Sequence, residues 1–374
     1  MDFVSPDDVA AIAPLLGLRY SGINSTLERV VPRQAATLRI AALGPTVSMS
    51  TPRLRLADVW KLWRRPPGLP FRIWHARRND DMLAGIILRD LMRMPLKLVF
   101  TSAAQRSHTA WTRFLIGRMD AIIATSPESA SYLTRPSVVI PHGMDTQTFR
   151  PSEDRAALRA RLGLPDKLLI GCFGRIRPDK GTDLFIDAFC EIARNNPDAC
   201  AVVTGLAKSG YSSFVDTIRA KVEREGLSNR VFWLGEVEAQ TVPELYRCMD
   251  IYVAPQRWEG FGVTPLEAMA SGVPVVATTV GAFRAQIVEG ETGFLLAPGD
   301  VPAMVERIER LIRDPQLRRR MGDAGRERVV ANFGIDTEAE AINRVYASLW
   351  NAFAPGHAEA ATSTQSPKTH SQKP

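Results

Sequence analysis

A chain of 374 residues, 45% apolar and 23% charged, is globular in composition and too long for one ordinary core, so two domains are expected. No apolar run reaches the ~18 to 20 residues that a membrane-spanning helix needs. The acidic start, MDFVSPDDVA, has no basic residue before Arg19 and does not read as a secretory signal. Four cysteines (Cys172, Cys190, Cys200 and Cys248) stand at wide spacings, without a CxxC pair or a Cys/His metal pattern. They read as reduced, mostly buried thiols of a cytoplasmic protein. The net charge of +7 is unevenly spread: between Arg53 and Arg118 fourteen Lys/Arg face four Asp, namely Asp58, Asp80, Asp81 and Asp90. An anionic partner is expected for that half, whether a phosphorylated substrate, an acidic membrane or nucleic acid.

In chain order, "VAAIAPLL" (9–16) reads as a first buried strand, then a loop "GLRYSGINST" and a helix from about Thr26. Gly22 in that loop sits where an open α/β sheet places ligands, beyond a strand's carboxyl end. "LRIAALGP" (38–45) is a second strand. Leu56, Val59, Trp60 and Trp63 recur at helical spacing, with Arg55, Lys61, Arg64 and Arg65 on other faces, ended by Pro66-Pro67. Such a stripe packs against its domain or lies on an anionic membrane surface. "FRIWHARRND" (71–80) is a short strand whose His75, with Arg77 and Arg78, is expected at a strand end facing a cleft. "LKLVFTSAA" (96–104), "DAIIATS" (120–126) and "SVVIPHG" (137–143) are further strands, alternating with helices as in a parallel, doubly wound sheet.

"PHGMDTQTFRPS" (141–152) is a Pro- and Gly-punctuated connector, so residues 1–145 form a first Rossmann-like domain and 146–335 a second. The strands of the second are "LLIGCFGRI", "ACAVVTGLA", "VFWLGEV", "IYVAPQ", "PVVATTV" and "GFLLAP". A long charged helical region (302–331) and a last helix (336–353), which could return to the first domain, follow. The tail (354–374) lacks large apolar residues and is expected to be disordered.

The stretch Pro255–Gly281, PQRWEGFGVTPLEAMASGVPVVATTVG, joins a Gly-rich loop, a helix and a buried strand. Gly260 and Gly262 let backbone amides approach a ligand closely. Thr264-Pro265-Leu266-Glu267 is a helix start, with Thr264 as N-cap and Glu267 as the capping-box glutamate. A loop of this kind feeding a helix start suits a phosphate. Glu259 and Glu267 can face one mouth, although each could also be merely a loop charge and a cap. "GRIRPDKG" places Arg175 and Lys180 beside Gly174 and Gly181 at a strand end, two cations able to clamp a diphosphate or simply a solvated basic turn.

Taken together, "GRIRPDKG", "LGEV", "VAPQRWEGFGVTPLEAMASGVPVVAT" and "EGETGFLLAPGD" resemble the donor-binding half of the retaining GT-B glycosyltransferases of family 4. "IPHGMDTQTFRP" resembles their interdomain linker, and the likeness runs through nearly all of residues 9–350. It implies two doubly wound Rossmann-like α/β domains facing across a cleft. Arg175 and Lys180 would hold a nucleotide-sugar diphosphate, with Gly174 nearby and the amides of Gly260, Phe261, Gly262 and Val263 assisting. Glu259 would bind hydroxyls of the transferred sugar and Glu267 the ribose hydroxyls. Gly22 would lie near the donor phosphates, and His75 matches a histidine position near the reacting centre. Without an obvious carboxylate nucleophile, retention suggests a same-face displacement in which the departing phosphate helps deprotonate the acceptor. No Asp-x-Asp motif occurs, so no essential metal or other cofactor is expected. Two departures stand out: a single glycine at Ser21-Gly22-Ile23-Asn24, and Gly281-Ala282-Phe283-Arg284-Ala285 with alanine at a commonly acidic position.

The first half, "FRIWHARRNDDMLAGIILRDLMRMPLKLVFTSAAQRSHTAWTRFLIGRMDAIIATS", is similar to the acceptor domain of bacterial lipopolysaccharide-core mannosyltransferases, which add mannose from GDP-mannose to inner-core Kdo. The resemblance implies a GDP-mannose donor, a Kdo-lipid A type acceptor met by Arg77, Arg78, Arg106 and Arg113, and a place on the inner face of the cytoplasmic membrane. A UDP-hexose donor acting on another surface glycan keeps the same fold. A basic nucleic-acid-binding protein is disfavoured because no standard nucleic-acid module is visible, and a nicotinamide-dependent oxidoreductase because no G-x-G-x-x-G follows the first strand.

Overall fold

The computed structural model describes residues 3–18 and 22–353; Ser21 and the tail from 354, both subjects of the expectations above, lie outside them. The described chain forms two compact units. One holds the residues up to Thr101, Phe114–Ile122 and those from Ala339; the other holds Ser102–Arg113 and Ile123–Glu338.

The first sheet contains β1 (Ala11–Pro14), β2 (Ile40–Leu43), β3 (Arg53–Leu54), β4 (Arg72–Ala76), β5 (Leu96–Ser102), β6 (Ala121–Ala124) and β7 (Val138–Val139). Their order is β3-β2-β1-β4-β5-β6-β7. Every residue of β1, β2 and β4 is buried, as in a sheet covered on both faces; β1 and β2 are apolar throughout, whereas β4 also buries Arg72 and His75. β1 runs parallel to β2, in register Ala11 to Ile40, and to β4, Ala11 to Ile73, so the strand order reverses between β1 and β4. The second sheet contains β8 (Leu168–Phe173), β9 (Ala199–Thr204), β10 (Val231–Gly235), β11 (Ile251–Ala254), β12 (Val275–Thr278) and β13 (Gly293–Leu296). Its order, β10-β9-β8-β11-β12-β13, reverses between β8 and β11. In each sheet the reversal splays the following loops apart, and the crevice beyond those strand ends is where such a fold accepts a ligand.

The charged region 302–331 is two helices, Val301–Arg313 and Pro315–Asn332. Asp314 breaks it: its carboxylate accepts from the Leu317 amide at 2.8 Å, and Pro315 opens the new helix where a missing N–H costs nothing. The linker is clamped at its middle. Met144 bridges to Gly334, and Glu338 takes the Gly143 amide at 2.7 Å and His142 Nδ1 at 2.9 Å. A Cβ on Gly143 would lie 2.6 Å from the Gly334 carbonyl oxygen, so a side chain there would pry the clamp open. Beyond Glu338 the last helix, Ile335–Asn351, carries Asn343 to Gln34 (2.7 Å) and Trp350 Nε1 to the Phe71 carbonyl (3.1 Å), both within the first unit. All four cysteines are unpaired and buried, and burial pushes the Cys172 thiol up to about 12.

The tryptophan stripe differs from expectation. Leu56–Trp63 is a 3-10 helix whose one buried residue is Leu62. With three residues per turn instead of 3.6, positions 59 and 62 share one edge and 60 and 63 another. Leu62 turns inward and Val59 is half-buried, while Trp60 and Trp63 stand 59% and 48% exposed and Leu56, at the open start of the helix, 54%.

Candidate functional site

In the second unit the loops after β8 and β11 flank the reversal of strand order. Phe173 ends β8, and Gly174 follows at φ +132°, a conformation open mainly to glycine. Arg175 is then exposed, and its guanidinium makes no hydrogen bond or ion pair among the described residues. A one-turn 3-10 helix, Pro178–Lys180, ends at Gly181 with φ +69°. A Cβ on Gly181 would sit 2.0 Å from the Pro255 carbonyl oxygen, so the two loops touch backbone to backbone.

Four further bonds fasten these loops. Arg257 grips both oxygens of Asp183, at 2.8 and 2.6 Å, and donates to the Pro178 carbonyl at 2.6 Å. The Arg257 amide donates to the Asp179 carbonyl at 2.8 Å. The result is that Lys180 Nζ bonds Glu259 Oε2 directly, both side chains being largely shielded, 21% and 16% exposed. Glu259 Oε1 accepts from its neighbour's amide, Gly260 N, at 3.0 Å.

Two glycines make room for that carboxylate's stem. Gly262 has φ +78°, and a Cβ there would lie 2.8 Å from Glu259 Cγ and 2.3 Å from the Phe283 ring. Gly281, at φ +60°, would meet the Phe261 carbonyl oxygen at 2.9 Å and Glu259 Cβ at 3.0 Å. Gln286 Nε2 holds the Gly262 carbonyl at 2.8 Å and the Ala282 amide holds that of Phe261 at 3.0 Å. Phe261 is buried against His142, ring centroids 4.9 Å apart. With their carbonyls so pinned, the amides of Phe261, Gly262 and Val263 have no partner among the described residues.

The helix that follows, Thr264–Ala270, does not start as expected. Val263 is its N-cap, no side chain caps it, and Thr264 is already the first helical residue. The capping-box role of Glu267 is therefore a misreading. Its side chain is buried, and Oε2 accepts from the Tyr246 hydroxyl at 2.9 Å. Tyr246 is fully buried, and burial together with the neighbouring Tyr252 and Glu267 raises its pKa well above the usual phenol range, keeping it a donor. The Tyr252 hydroxyl donates to the Phe173 carbonyl at 3.2 Å, and the rings of Tyr246 and Tyr252 lie 5.2 Å apart. Glu267 is thus tied through two tyrosines to the strand end that presents Arg175.

In the first unit His75 is not placed as expected, at a strand end facing open space. His75 lies on β4 with no exposed surface, its Nδ1 2.6 Å from the Tyr346 hydroxyl and its Nε2 2.7 Å from Thr101 Oγ1. Burial, and then the Arg77 charge, push its pKa well below the usual imidazole value, so it is a neutral packing residue beneath the last helix and does not face open space. Beside it, at the reversal between β1 and β4, Arg78 donates to Asn24 Oδ1 at 2.6 Å and Arg77 to the His75 carbonyl at 3.4 Å. Asp81 is buried and accepts from the Leu16 amide at 3.1 Å, with burial raising its pKa. Gly22 begins the helix Gly22–Ala35 and has open space around its Cα. Arg106 and Arg113 are exposed in the second unit, Arg113 donating to the His108 carbonyl at 2.7 Å.

Sequence reasoning missed Tyr246, Arg257, Asp183 and Gln286. Arg257 lies inside the Pro255–Gly281 stretch, and Asp183 stands three residues after Lys180, so a complementary pair was readable there. Tyr246, within an apolar helical stripe, gave no signal.

The family described as "Glycosyl transferases group 1" matches residues 154–328, which hold Arg175, Lys180, Glu259, Glu267 and Tyr246. The chain is 48% identical over 346 residues to the lipopolysaccharide core biosynthesis mannosyltransferase LpsB of Rhizobium meliloti, covering 91% of this chain and 98% of that protein. It is 47% identical to the lipopolysaccharide core biosynthesis mannosyltransferase LpcC of Rhizobium leguminosarum, over 91% and 97%. Among solved structures, Anabaena Alr3699/HepE in complex with UDP superimposes with a TM-score of 0.78 at 22% identity, covering 91% of this chain and all of that one, a likeness of fold.

Proposed function

The chain belongs to the group 1 glycosyltransferases, and on that footing we propose that it moves mannose from GDP-mannose, with retention, onto the Kdo inner core of a lipopolysaccharide precursor at an anionic membrane face. It is a glycosyltransferase of GT-B architecture; donor, acceptor and place are the proposal. The observation that carries it is the Lys180–Glu259 pair at the reversal of the second sheet. Each group, largely shielded from water, would be costly to leave alone there, and each neutralises the other while no ligand is bound. An arriving nucleotide-sugar offers a replacement for both: its diphosphate takes the Lys180 ammonium and the hydroxyls of its hexose take the Glu259 carboxylate. Lys180 and Arg175 together match the two negative charges of the diphosphate, and Glu259 exchanges an ammonium for hydroxyl donors, so neither side chain is left without a partner.

Arg175 adds a second cation to the diphosphate as a planar fork of donors. The unpaired amides of Phe261, Gly262 and Val263 supply further donors, and Glu267, aimed by Tyr246, takes the ribose hydroxyls. In the reaction the hexose C1–O bond to the diphosphate breaks and a C1–O bond to the acceptor hydroxyl forms on the same face. The acceptor proton passes to the departing phosphate oxygen. Negative charge grows on the leaving diphosphate, and Arg175 and Lys180 stabilise it without a metal. Arg77 and Arg78, with Arg106 and Arg113, are the proposed contacts to an anionic acceptor. A UDP-hexose donor remains the rival reading.

A thermal-shift panel of GDP, UDP, ADP and their sugars tests the donor, since a ligand at a hundred times its Kd stabilises the native state by about 2.7 kcal/mol. Stabilisation by GDP and GDP-mannose is expected. Stabilisation by UDP-hexoses alone would remove the mannose reading, and transfer from neither donor class to a Kdo-lipid would remove the transferase chemistry assigned to this site.

A further inference from the structure

An apolar and cationic face stands on the first unit, on segments that include none of the donor-site residues. Arg72 on β4 is fully buried yet bonds four carbonyl oxygens: Nε to Val9 (2.9 Å), Nη2 to Pro6 (3.0 Å), and Nη1 to Leu62 (3.3 Å) and to Arg64. Two of these carbonyls belong to the Leu56–Trp63 helix and its C-cap, so a guanidinium in the core staples that helix down by its far end. With Leu62 turned inward, Leu56, Trp60 and Trp63 are held outward, Leu56 at 54% exposure. Trp63 Nε1 donates to the Met92 carbonyl at 2.7 Å, which brings up the segment of Leu91, itself 77% exposed. Arg118 holds the adjacent Asp90 at 2.5 Å, and one turn before it Phe114 is 55% exposed. Five large apolar side chains thus stand outward on segments hydrogen-bonded to one another.

Their surroundings decide what covers them. Arg53, Arg55, Lys61, Arg64 and Arg65 border the tryptophans in sequence, against Asp58, which is held by Lys61 at 2.7 Å, Asp90, which is held by Arg118, and the exposed Asp7 and Asp8 of the short helix packed against this one. Arg93 is exposed beside Leu91. A water-soluble protein partner complementary to five cations would need a dense acidic patch. A bilayer carrying anionic headgroups offers that charge together with an apolar layer below, and indole rings favour that boundary. Among the described residues no helix is long and apolar enough to cross a membrane, so attachment would be by a face.

We propose that Leu56, Trp60, Trp63 and Leu91, rimmed by Arg55, Arg64, Arg65 and Arg93, dock the protein on an anionic lipid surface. This rests on the membrane-facing part of the reading above and names the surface that would serve it. The rings enter the headgroup boundary while the guanidinium groups remain at phosphate level.

The test is co-sedimentation of the full chain with vesicles of phosphatidylglycerol in phosphatidylcholine, against phosphatidylcholine alone. Two double variants accompany the wild type: Trp60→Ala with Leu91→Ser, and Arg64→Gln with Arg65→Gln. GDP binding is measured on each, because none of these four residues belongs to the donor site. Each arginine near an anionic surface contributes about 5-fold in partition, so the arginine pair should lose roughly 25-fold at low salt, and the wild type should lose binding as salt rises. The apolar pair should lose partition at every salt concentration, with GDP binding unchanged in both. Unchanged partition in either variant, or equal binding to phosphatidylcholine alone, overturns the proposal. So does a wild-type dimer made monomeric by the apolar pair, which would mean that a second copy covers this face. Lost GDP binding in the wild type would instead count against the donor site and leave the docking result readable.

Discussion

Replacing Tyr246 by Phe removes one hydroxyl and nothing else. The ring stays packed 4.8 Å from Phe173 and 5.2 Å from Tyr252, so no cavity opens. What disappears is a buried hydrogen bond of 2.9 Å to the Glu267 carboxylate. A bond to a charged group inside a protein contributes about 1.5 to 3 kcal/mol, so the folded state should lose on the order of 2 kcal/mol, or roughly 4 to 8 °C in Tm. The functional consequence is separate. If Glu267 receives the ribose hydroxyls, a carboxylate no longer aimed from behind should discriminate poorly between GDP and 2′,3′-dideoxy-GDP. Isothermal titration of both nucleotides gives the ratio of affinities, and Tyr246→Phe should lower it by at least ~5-fold, the cost of about 1 kcal/mol in one misaligned charged bond. Glu267→Gln serves as reference. Stability lost with an unaltered ratio would reduce Tyr246 to a packing residue. A ratio of one in the wild type would remove the ribose from Glu267 altogether.

Glu259→Ala should reduce transfer by at least ~100-fold while GDP itself binds as well or better, because Lys180 is released for the diphosphate; weaker GDP binding in that variant would refute the exchange of partners. Gly281→Ala should destabilise the fold and weaken donor binding, since its Cβ meets Glu259 and the Phe261 carbonyl. Gly299→Ala, at φ +87° with nothing within 4 Å, measures the backbone strain alone, and equal effects in the two would show that crowding of Glu259 is immaterial. His75 titrates well below its unfolded value near 6.5, so the unfolded chain binds its proton first. Stability contributed by neutral His75 is complete above that pH and is lost as pH falls from about 6.5 toward the folded value, by at most ~1.4 kcal/mol per pH unit. Urea midpoints between pH 7.5 and 5.5 should decline in the wild type and flatten in His75→Gln; parallel curves would place the titration elsewhere.

Much of this architecture is written locally. The buried runs at β8, β9, β11 and β12 have no periodicity to confuse, and turn residues bound them, so a parallel sheet covered on both sides follows. Gly174, Arg175, Lys180, Glu259 and Gly262 stand out in the sequence as candidates for the same reason: strand ends in this fold carry ligands, and glycines beside charges mark close approach. β3, two residues long, carried no pattern to detect. The tryptophan stripe failed on pitch, because apolar residues at 56, 59, 60 and 63 fit a 3.6-residue turn, and the buried Arg72 fixes a tighter one.

The assignments that failed share a physical cause. His75 was placed by its position on a strand, but its fate is set by Tyr346, which arrives 271 residues later on the last helix. Glu267 was read against Thr264, three residues away, yet its oxygen belongs to Tyr246 on another helix. A polar side chain has several acceptable partners, and local spacing ranks only the near ones. Burial removes water as an alternative, so the strongest available distant partner wins whenever packing delivers it. The Lys180–Glu259 pair obeys the same rule from the opposite side. The two meet because the fold brings the ends of β8 and β11 together, whatever lies between them in sequence.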